Sequence, residues 1–381
     1  MTGRPRVAFV NGGILGLLSY ATWLRSAFST GDDIDAEHVV LTEQLTLTDR
    51  LIRRALCQRL VPNVPGWRNL DRQRFRSELN AGLLARRRLL AHGLDRLDVL
   101  HFHRQATAYG SLDLMRRRPS IVSIDCTQTC ALQHVHTDRE RRSFAPDIRR
   151  DGAIFERAQA IVSTSRWAAA DVGRMYPACT TPIHVLPNPV RLDIFDPAWL
   201  EERRTRDRPQ PRCLFMGGDF PRKGGYLLLD AWQRGGFASR ARLRLVTDWN
   251  IGVPLPDGVD VERGVIGQTP RWASIWRDAD LFVMPTQNEA FGLVYQEAAA
   301  ASLPAIGSRL NAVPEIITDG ATGLLIEPTS RDELIAALDR LIASAELRER
   351  MGRAARRKIE GDADPGRHRR ALVELIRSMV P

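Results

Sequence analysis

One glycine-rich stretch contains a lysine, a residue type that is rare in this chain. The chain has 55 Lys and Arg residues, but only two of them, Lys223 and Lys358, are lysines. Lys223 lies in residues 216–225, which have glycines at both ends and follow the apolar, strand-like residues 213–216. Backbone N–H groups and a flexible ammonium can surround phosphate oxygens that a planar guanidinium cannot all reach. This combination predicts a phosphate-binding loop; an ordinary surface turn is the alternative.

A second segment carries two carboxylates eight positions apart. Glu289 precedes a predicted Ala-rich helix that begins near Gly292, and Glu297 lies in the second turn of that helix. The free amides at the start of a helix stabilise an anion, and carboxylates accept hydrogen bonds from sugar hydroxyls. Eight residues rise about 12 Å if they are helical throughout, so the carboxylates would hold opposite ends of an extended ligand. Two ordinary solvated glutamates are the alternative.

Four histidines form two His-x-His pairs. Strand alternation places His101 and His103 on one face, near the carboxyl end of a predicted strand. Together with His134 and His136 they suggest zinc, but two such pairs do not by themselves define a tetrahedral site. We therefore predict no metal site and expect His134 and His136 to be packed or hydrogen-bonded.

Alternating strand and helix signals run along both halves of the chain. The predicted strands are residues 7–10, 39–41, 99–102, 121–124, 160–162 and 183–186, then 213–216, 243–247, 259–261, 281–284, 305–306 and 323–326. Strands separated by helix-length segments predict an α/β protein with two doubly wound, Rossmann-like domains, which bind ligands in a cleft between them. The closely spaced prolines and charges of residues 186–212 predict a linker.

Length, cysteine content and charge limit the class of protein. With 381 residues the chain is long enough for two domains. No apolar run approaches the ~18 residues that span a bilayer, and residues 7–10 are too short for a signal-peptide core. Five scattered cysteines without a Cys-x-x-Cys pair indicate free thiols and a cytoplasmic protein. The net charge of +10 favours anionic partners, although the aromatic residues that bind nucleic-acid bases are sparse and not interleaved with arginines.

Residues 47–60 form an amphipathic pattern within the arginine-rich first half. The residues on its apolar face are Leu47, Leu51, Ile52, Ala55, Leu56 and Leu60. Arginines lie off this face at Arg50, Arg53, Arg54 and Arg59. Two interpretations are open: the helix docks on an anionic membrane, or it packs on the core with a solvated basic side.

These segments together resemble the glycosyltransferase family 4 members of the GT-B superfamily. Glu289 and Glu297 match the E-x7-E motif of that family within a Glu-Ala-Phe-Gly context, and residues 217–225 match its phosphate loop. Further similar stretches are residues 302–306, 313–317 and 319–325. The resemblance covers residues 213–328 and is weaker before them.

The resemblance implies a metal-independent, retaining transfer of a hexose-type sugar from a nucleoside diphosphate sugar, with UDP favoured over GDP. Arg222 and Lys223 would neutralise the diphosphate, Glu297 would bind the ribose, and Glu289 would bind the donor sugar. Residues whose backbone would contact phosphate, sugar or base are Gly217, Gly218, Val265, Ile266, Gly267, Phe291, Gly292 and Leu293. The leaving phosphate itself can accept the acceptor's proton, so no protein base is required.

The first half matches the family less closely. His103 ends a strand that resembles a family strand with a His-x-His ending. Asp125 stands where the family commonly has a histidine near the donor sugar, which leaves that role vacant or moved to His103. Gly12 and Gly13 resemble the glycine-rich first loop, where the backbone approaches donor or acceptor.

The resemblance also implies the domain limits. Residues 1–190 would bind the acceptor, residues 191–362 the donor, and residues 363–381 would form a helix that packs back on the first domain. The expected partners are a nucleoside diphosphate sugar, a hydroxyl acceptor of unknown class in glycan, glycolipid or glycoconjugate synthesis, and peripherally an anionic membrane at its inner face. The alternatives are epimerisation or hydrolysis of nucleotide sugars, nucleic-acid binding, and a non-catalytic scaffold.

Overall fold

A computed structural model describes residues 4–12, 15–29, 33–43, 45–61, 70–133, 135–196, 198–205, 208 and 210–380. The chain forms two compact units, one of Met1–Asn188 with Gly366–Pro381 and the other of Pro189–Pro365. Each unit is built on a six-stranded sheet whose strand pairs are parallel. The predicted α/β class with two Rossmann-like domains is confirmed.

The elements of the first unit alternate along the chain. Its strands are β1 (Arg6–Asn11), β2 (Asp35–Val40), β3 (Val99–His103), β4 (Ser120–Ile124), β5 (Ala160–Ser163) and β6 (Ile183–Val185). Its helices, in chain order, are α1 (Leu15–Ala27), α2 (Leu47–Cys57), α3 (Gln73–Ala91), α4 (Leu114–Arg117), α5 (Thr129–Leu132), α6 (Asp138–Ser143), α7 (Ala145–Arg157) and α8 (Arg166–Met175). The strand order is β2-β1-β3-β4-β5-β6.

The second unit repeats this organisation. Its strands are β7 (Arg212–Met216), β8 (Arg242–Val246), β9 (Val259–Glu262), β10 (Leu281–Met284), β11 (Ala305–Ser308) and β12 (Gly323–Ile326). Its helices are α9 (Ala198–Thr205), α10 (Gly225–Arg234), α11 (Pro270–Asp278), α12 (Leu293–Ala300), α13 (Val313–Ile316), α14 (Arg331–Ala343) and α15 (Ala345–Asp362). The strand order β12-β11-β10-β7-β8-β9 places β7 and β10 side by side at the centre.

Both faces of the first sheet are buried, as is usual for parallel sheets. Alternate residues of β3 divide between the two faces: Leu100 and Phe102 join a cluster with α3 and α7, and Val99 joins a second cluster. This second cluster includes side chains from β1, α1 and the last helix, α16 (Pro365–Arg377): Phe9, Tyr20, Trp23, Leu372 and Ile376. The last helix of the chain therefore completes the core of the first unit.

The predicted linker is wrong in its second part, because the described residues of this part, 201–205, 208 and 210–212, belong to the packed second unit. The helix α9 occupies the start of this stretch, and the Arg203 guanidinium donates to the carbonyl of Ala301 (3.2 Å). Arg208 forms an ion pair with Asp278 (2.6 Å). Arg203 and Arg208, two of the charged residues that suggested a solvated linker, therefore anchor this stretch to the rest of the second unit. None of the helices in the described residues combines the length and apolar character needed to cross a bilayer.

Three carboxylates are buried beside one another in the first unit. Asp147 and Asp151 on α7 are fully buried, and the side chain of Glu78 on α3 is 11% exposed. Asp151 accepts hydrogen bonds from the Tyr109 hydroxyl (2.7 Å) and the Gln128 amide (2.9 Å), whereas neither oxygen of Asp147 accepts one from another described side chain. Burial, reinforced by the Glu78 charge, raises the pKa of Asp147 to about 7. Ionisation of Asp147 therefore disfavours the folded state.

We expect the substitution Asp147→Asn to remove part of a pH dependence of stability. Because the pKa of Asp147 is higher in the folded chain than its ordinary value of 3.8, the free energy of unfolding should fall as pH rises from about 4 to about 7. The upper limit is roughly 1.4 kcal/mol per unit of pKa difference. Urea unfolding at pH 4.5 and pH 8, read at the denaturation midpoint, measures this slope.

The matched control for this experiment is Asp95→Asn, because the Asp95 side chain in the same unit is 83% exposed. The control should keep the wild-type slope between the two pH values. If Asp147→Asn keeps that slope too, burial of this carboxylate does not govern the pH dependence.

Candidate functional site

The two segments singled out in the sequence follow neighbouring strands of the second sheet. Strands β7 and β10 pair in parallel, with Cys213 beside Leu281. Residues 217–224 lead from β7 to α10, and residues 285–292 lead from β10 to α12. Because the carboxyl ends of adjacent parallel strands meet at one edge of a sheet, these two loops lie side by side, where α/β proteins bind ligands. We call them the lysine loop (residues 217–224) and the glutamate loop (residues 285–292).

Gly224 brings the two loops into backbone contact. Its φ is +77°, and a Cβ at this residue would lie 1.9 Å from the carbonyl oxygen of Pro285. The amide of Gln287 donates to the carbonyl of Arg222 (2.8 Å), and the Thr286 hydroxyl donates to the same carbonyl (3.2 Å). Only glycine combines this left-handed backbone with so close an approach, so Gly224 fixes the position of one loop on the other.

The two predicted phosphate-binding cations contact the glutamate loop. The Lys223 ammonium forms an ion pair with the Glu289 carboxylate, and their side chains are 15% and 12% exposed. The Arg222 guanidinium donates to the carbonyl of Asn288 (2.7 Å) and to the carboxylate of Asp219 (3.0 Å). An ammonium has three donors and a guanidinium five, so these contacts leave N–H groups on both side chains for a further anion.

Glu297 interacts with the same ammonium. The residue is half-buried; burial raises the pKa of Glu297 to about 8, and the Lys223 charge acts in the opposite direction. The helix α12 begins at Leu293, so residues 289–292 are not helical. The helix therefore begins where the sequence predicts, after Glu289 and with Glu297 in its second turn, and the separation of about 12 Å that holds only for a helix throughout does not apply. Lys223 thus forms an ion pair with Glu289 and has a longer-range charge effect on Glu297.

The start of α12 is open to an anion. Its N-cap residue is Gly292, with φ +94°, and no described side chain caps the first amides. The Tyr295 hydroxyl donates to the carbonyl of Met284 (2.6 Å), which ties the helix to the end of β10. Phe291 is buried and Leu293 is half-buried. Uncapped amides and the helix dipole at this position stabilise negative charge.

Three residues that position the site were missed in the sequence. Asp219 orients Arg222, and the buried Thr286 bridges the two loops. Asn311, which follows β11, donates from its side-chain amide to the carbonyl of Glu289 (2.9 Å). The available signal was positional: each is a polar residue shortly after one of three neighbouring strands of the sheet.

The other residues that the resemblance predicts to bind the nucleotide-sugar donor lie along the same edge of the second sheet. Gly217 extends the β7–β8 pairing, since its amide donates to the carbonyl of Val246 (3.0 Å). A Cβ on Gly217 would lie 3.1 Å from the Cγ of Lys223, whereas one on Gly218 would meet open space. Three residues follow the edge strand β9, which β8 separates from β7: Val265, Ile266 and Gly267.

The predicted residues of the first half lie in the first unit, at the ends of neighbouring strands. Gly12 follows β1, His103 ends β3 and Asp125 follows β4. His103 is buried, its ring lies 4.3 Å from that of Tyr20, and burial lowers the pKa of His103 well below its ordinary value. Asp125 and Gly12 are half-buried. Gly13 lies outside the described residues.

The described histidines of the two pairs are not part of a cluster of potential metal ligands within the described residues. His101 is fully buried and its Nε2 lies 2.6 Å from the Ser123 hydroxyl. His101 and His103 share the face that packs on α1, as strand alternation predicts. His136 was expected to be packed or hydrogen-bonded; it is exposed, so the first of these alternatives is wrong. His134 lies outside the described residues.

Two family models match separate parts of the chain. The model for "Glycosyltransferase Family 4" matches residues 35–194, and the model for "Glycosyl transferases group 1" matches residues 261–358. A D-inositol 3-phosphate glycosyltransferase from Segniliparus rotundus is 28% identical over 219 residues, which are 54% of this chain and 49% of the relative. The match thus spans about half the length of that relative.

Solved structures share the whole two-sheet architecture. Sucrose-phosphate synthase from Thermosynechococcus elongatus superposes with a TM-score of 0.75 at 16% identity, covering 99% of both chains. Anabaena HepE in complex with UDP-glucose gives a TM-score of 0.68 at 13% identity, covering 98% of this chain and 99% of HepE. These likenesses concern the fold. With family models on both units and this shared fold, the chain belongs to the GT-B glycosyltransferases of the family 4 type.

Proposed function

We propose that this protein is a retaining, metal-independent glycosyltransferase and that its second unit binds a nucleoside diphosphate sugar. The observation that carries the proposal is the ion pair of Lys223 with Glu289 beside the uncapped start of α12, the helix that also carries Glu297. A sugar diphosphate needs cations and amides for its phosphates and carboxylates for its hydroxyls. The lysine and glutamate loops supply both kinds of group at one edge of the sheet.

Binding of the donor would redistribute the contacts between the two loops. The diphosphate would draw the Lys223 ammonium away from Glu289, while Arg222 would use its remaining N–H groups on the same phosphates. Glu289, relieved of its ion pair, would then accept hydrogen bonds from the sugar hydroxyls. Glu297 would accept hydrogen bonds from the ribose. Fixed cations and helix amides stabilise the departing diphosphate in place of a divalent metal.

The transfer itself needs few protein groups. The bond between the anomeric carbon and the diphosphate oxygen breaks, and the acceptor oxygen bonds to that carbon on the face that the diphosphate leaves. The acceptor's proton passes to the leaving phosphate, which balances the reaction without a protein base. The role of Arg222 and Lys223 is to stabilise negative charge as it develops on the diphosphate.

The remaining donor contacts are proposed by position. Backbone groups would hold phosphate and sugar at Gly217, Gly218, Phe291, Gly292 and Leu293, and the loop after β9 would lie along the base with Val265, Ile266 and Gly267. A uracil base is supported by HepE, a protein of similar fold whose structure contains UDP-glucose. We propose a hexose as the transferred sugar.

The first unit is proposed to bind the hydroxyl acceptor. Gly12, His103 and Asp125 follow neighbouring strands and share one edge of its sheet. Burial lowers the pKa of His103, so its imidazole is neutral and would serve as a hydrogen-bonding group rather than as a cation. Free cysteines support a cytoplasmic location, and the contact with an anionic membrane is a separate proposal.

We expect one nucleoside diphosphate to bind without metal and Lys223→Ala to weaken that binding. Calorimetric titration of UDP, GDP and ADP in EDTA makes the comparison. Loss of a charge-assisted contact of about 1.5–3 kcal/mol corresponds to a roughly 10- to 150-fold weaker affinity. The matched control is Lys358→Ala, because Lys358 pairs with Asp362 on α15. No binding of any nucleotide to the wild-type protein would rule out the donor site.

We also expect nucleotide affinity to rise with pH through Glu297. In the protein without nucleotide, the pKa of Glu297 is about 8. Because the ribose hydroxyls require an ionised carboxylate as acceptor, binding should tighten up to about pH 8 and level off above it. The rise should approach tenfold per pH unit below that value. Titration of UDP between pH 6.5 and pH 9 measures it, and Glu297→Gln should give weaker binding without this rise. An equal rise in the variant would assign the effect to another group.

A further inference from the structure

The outward side of α2 carries exposed leucines. Leu47 is 77% exposed and Leu51 is 67% exposed, and Ile52 beside them is 38% exposed. Residues four apart on a helix lie one above the other, so Leu47 and Leu51 form a continuous apolar strip. Leu60, just beyond the helix, is 69% exposed. The interpretation that this apolar face packs on the core is therefore wrong.

The inward side of α2 is held by polar contacts. Its buried residue is Asp49, whose carboxylate forms an ion pair with Arg87 of α3 (2.6 Å). Arg76 of α3 donates to the backbone carbonyls of Leu56 (2.9 Å) and Gln58 (2.8 Å). A surface helix of a globular protein normally turns its apolar stripe inward. In α2 this arrangement is reversed, so the leucines do not serve to attach the helix.

Arginines border the leucine strip. Arg50 and Arg54 each lie three positions after one of the two leucines, and Arg53 is exposed as well. The single acidic residue of the helix, Asp49, is turned inward and paired. The exposed side of α2 is thus an apolar strip with a basic border. Apolar side chains suit the acyl boundary of a bilayer, and arginines suit its phosphate groups.

A second copy of the chain suits this surface less well. A symmetric pair would bring Arg50 and Arg54 of both copies together around the axis, where like charges repel. The strip presented by Leu47 and Leu51 is also narrow for a stable interface, which buries roughly 800 Å² on each partner. A single projecting helix with a basic border is better matched to a flat anionic surface.

We propose that α2 docks the first unit on a membrane rich in anionic phospholipid. Leu47 and Leu51 enter the acyl boundary, and Arg50, Arg53 and Arg54 contact the headgroup phosphates. The helix axis then lies in the plane of the membrane surface. This proposal rests on α2 alone and is independent of the proposed transfer reaction.

Vesicle co-sedimentation of the full chain tests the proposal. The wild-type protein should bind phosphatidylglycerol vesicles in preference to phosphatidylcholine vesicles, and more weakly as salt is raised. The double variant Leu47→Ser/Leu51→Ser should bind phosphatidylglycerol at least tenfold less tightly. Leu255→Ser, at a leucine of the second unit that is 41% exposed, should leave vesicle binding unchanged. Retained binding by the double variant would overturn the assignment to α2.

A second set of variants tests the contribution of the arginines to vesicle binding. Arg50→Gln/Arg54→Gln should weaken phosphatidylglycerol binding by about fivefold for each arginine and reduce its salt dependence. Arg116→Gln, at an exposed arginine of α4, is the matched control. Circular dichroism spectra equal to wild type would show that the variants fold. Equal binding to both lipids would contradict the proposed role of anionic headgroups, and a concentration-dependent dimer that the leucine variants abolish would assign this surface to a second copy of the chain.

Discussion

The backbone contact between the lysine loop and the glutamate loop is the constraint on which the candidate site depends. Gly224 lies so close to the Pro285 carbonyl that no side chain fits between them. This approach allows Arg222 to bond to the backbone of the neighbouring loop and places Lys223 at Glu289. The positions of the charged groups are therefore set by backbone geometry, and their long side chains have little freedom left to lose when a ligand binds.

The two carboxylates of the site differ in how directly they interact with Lys223, and this difference has a chemical meaning. Lys223 and Glu289 neutralise each other in a place with little water, where a single unpaired charge would be strongly unfavourable. Glu297 has only the longer-range influence of the same ammonium, and burial favours its protonated form. A partly buried carboxyl group whose pKa is raised in this way is typical of a functional site. Structural carboxylates in the same unit, such as Asp278, are instead held by several arginines.

Much of the fold follows from local sequence patterns. Short apolar runs between helical stretches predicted every strand, and the bounds of β10 and β12 agree with the prediction. Such runs are reliable because a strand in a parallel sheet is buried on both faces. The positions of the glycine-rich loop after β7, of Glu289 after β10 and of Glu297 in the next helix were also predicted, because strand ends and glycines fix where such loops must lie.

Features that depend on tertiary contacts could not be predicted in this way. The charged helix α9 looks like a linker until its Arg203 meets carbonyl groups far along the chain. The periodicity of α2 shows that it has an apolar stripe, but only the ion pair of Asp49 with Arg87 decides which side faces inward. Asn311 reaches Glu289 across 22 positions of sequence, and no local pattern marks such a contact.

The place of α16 in the first unit has a consequence for biosynthesis. Its residues Leu372 and Ile376 belong to the same core cluster as Phe9 of β1 and Tyr20 of α1, yet the ribosome makes them only after the entire second unit. A domain normally folds as its residues emerge from the ribosome, but here that core cluster stays incomplete until residues 366–380 have emerged. The second unit is contiguous in sequence and can form first. The core of the first unit is therefore completed only after the second unit has been synthesised.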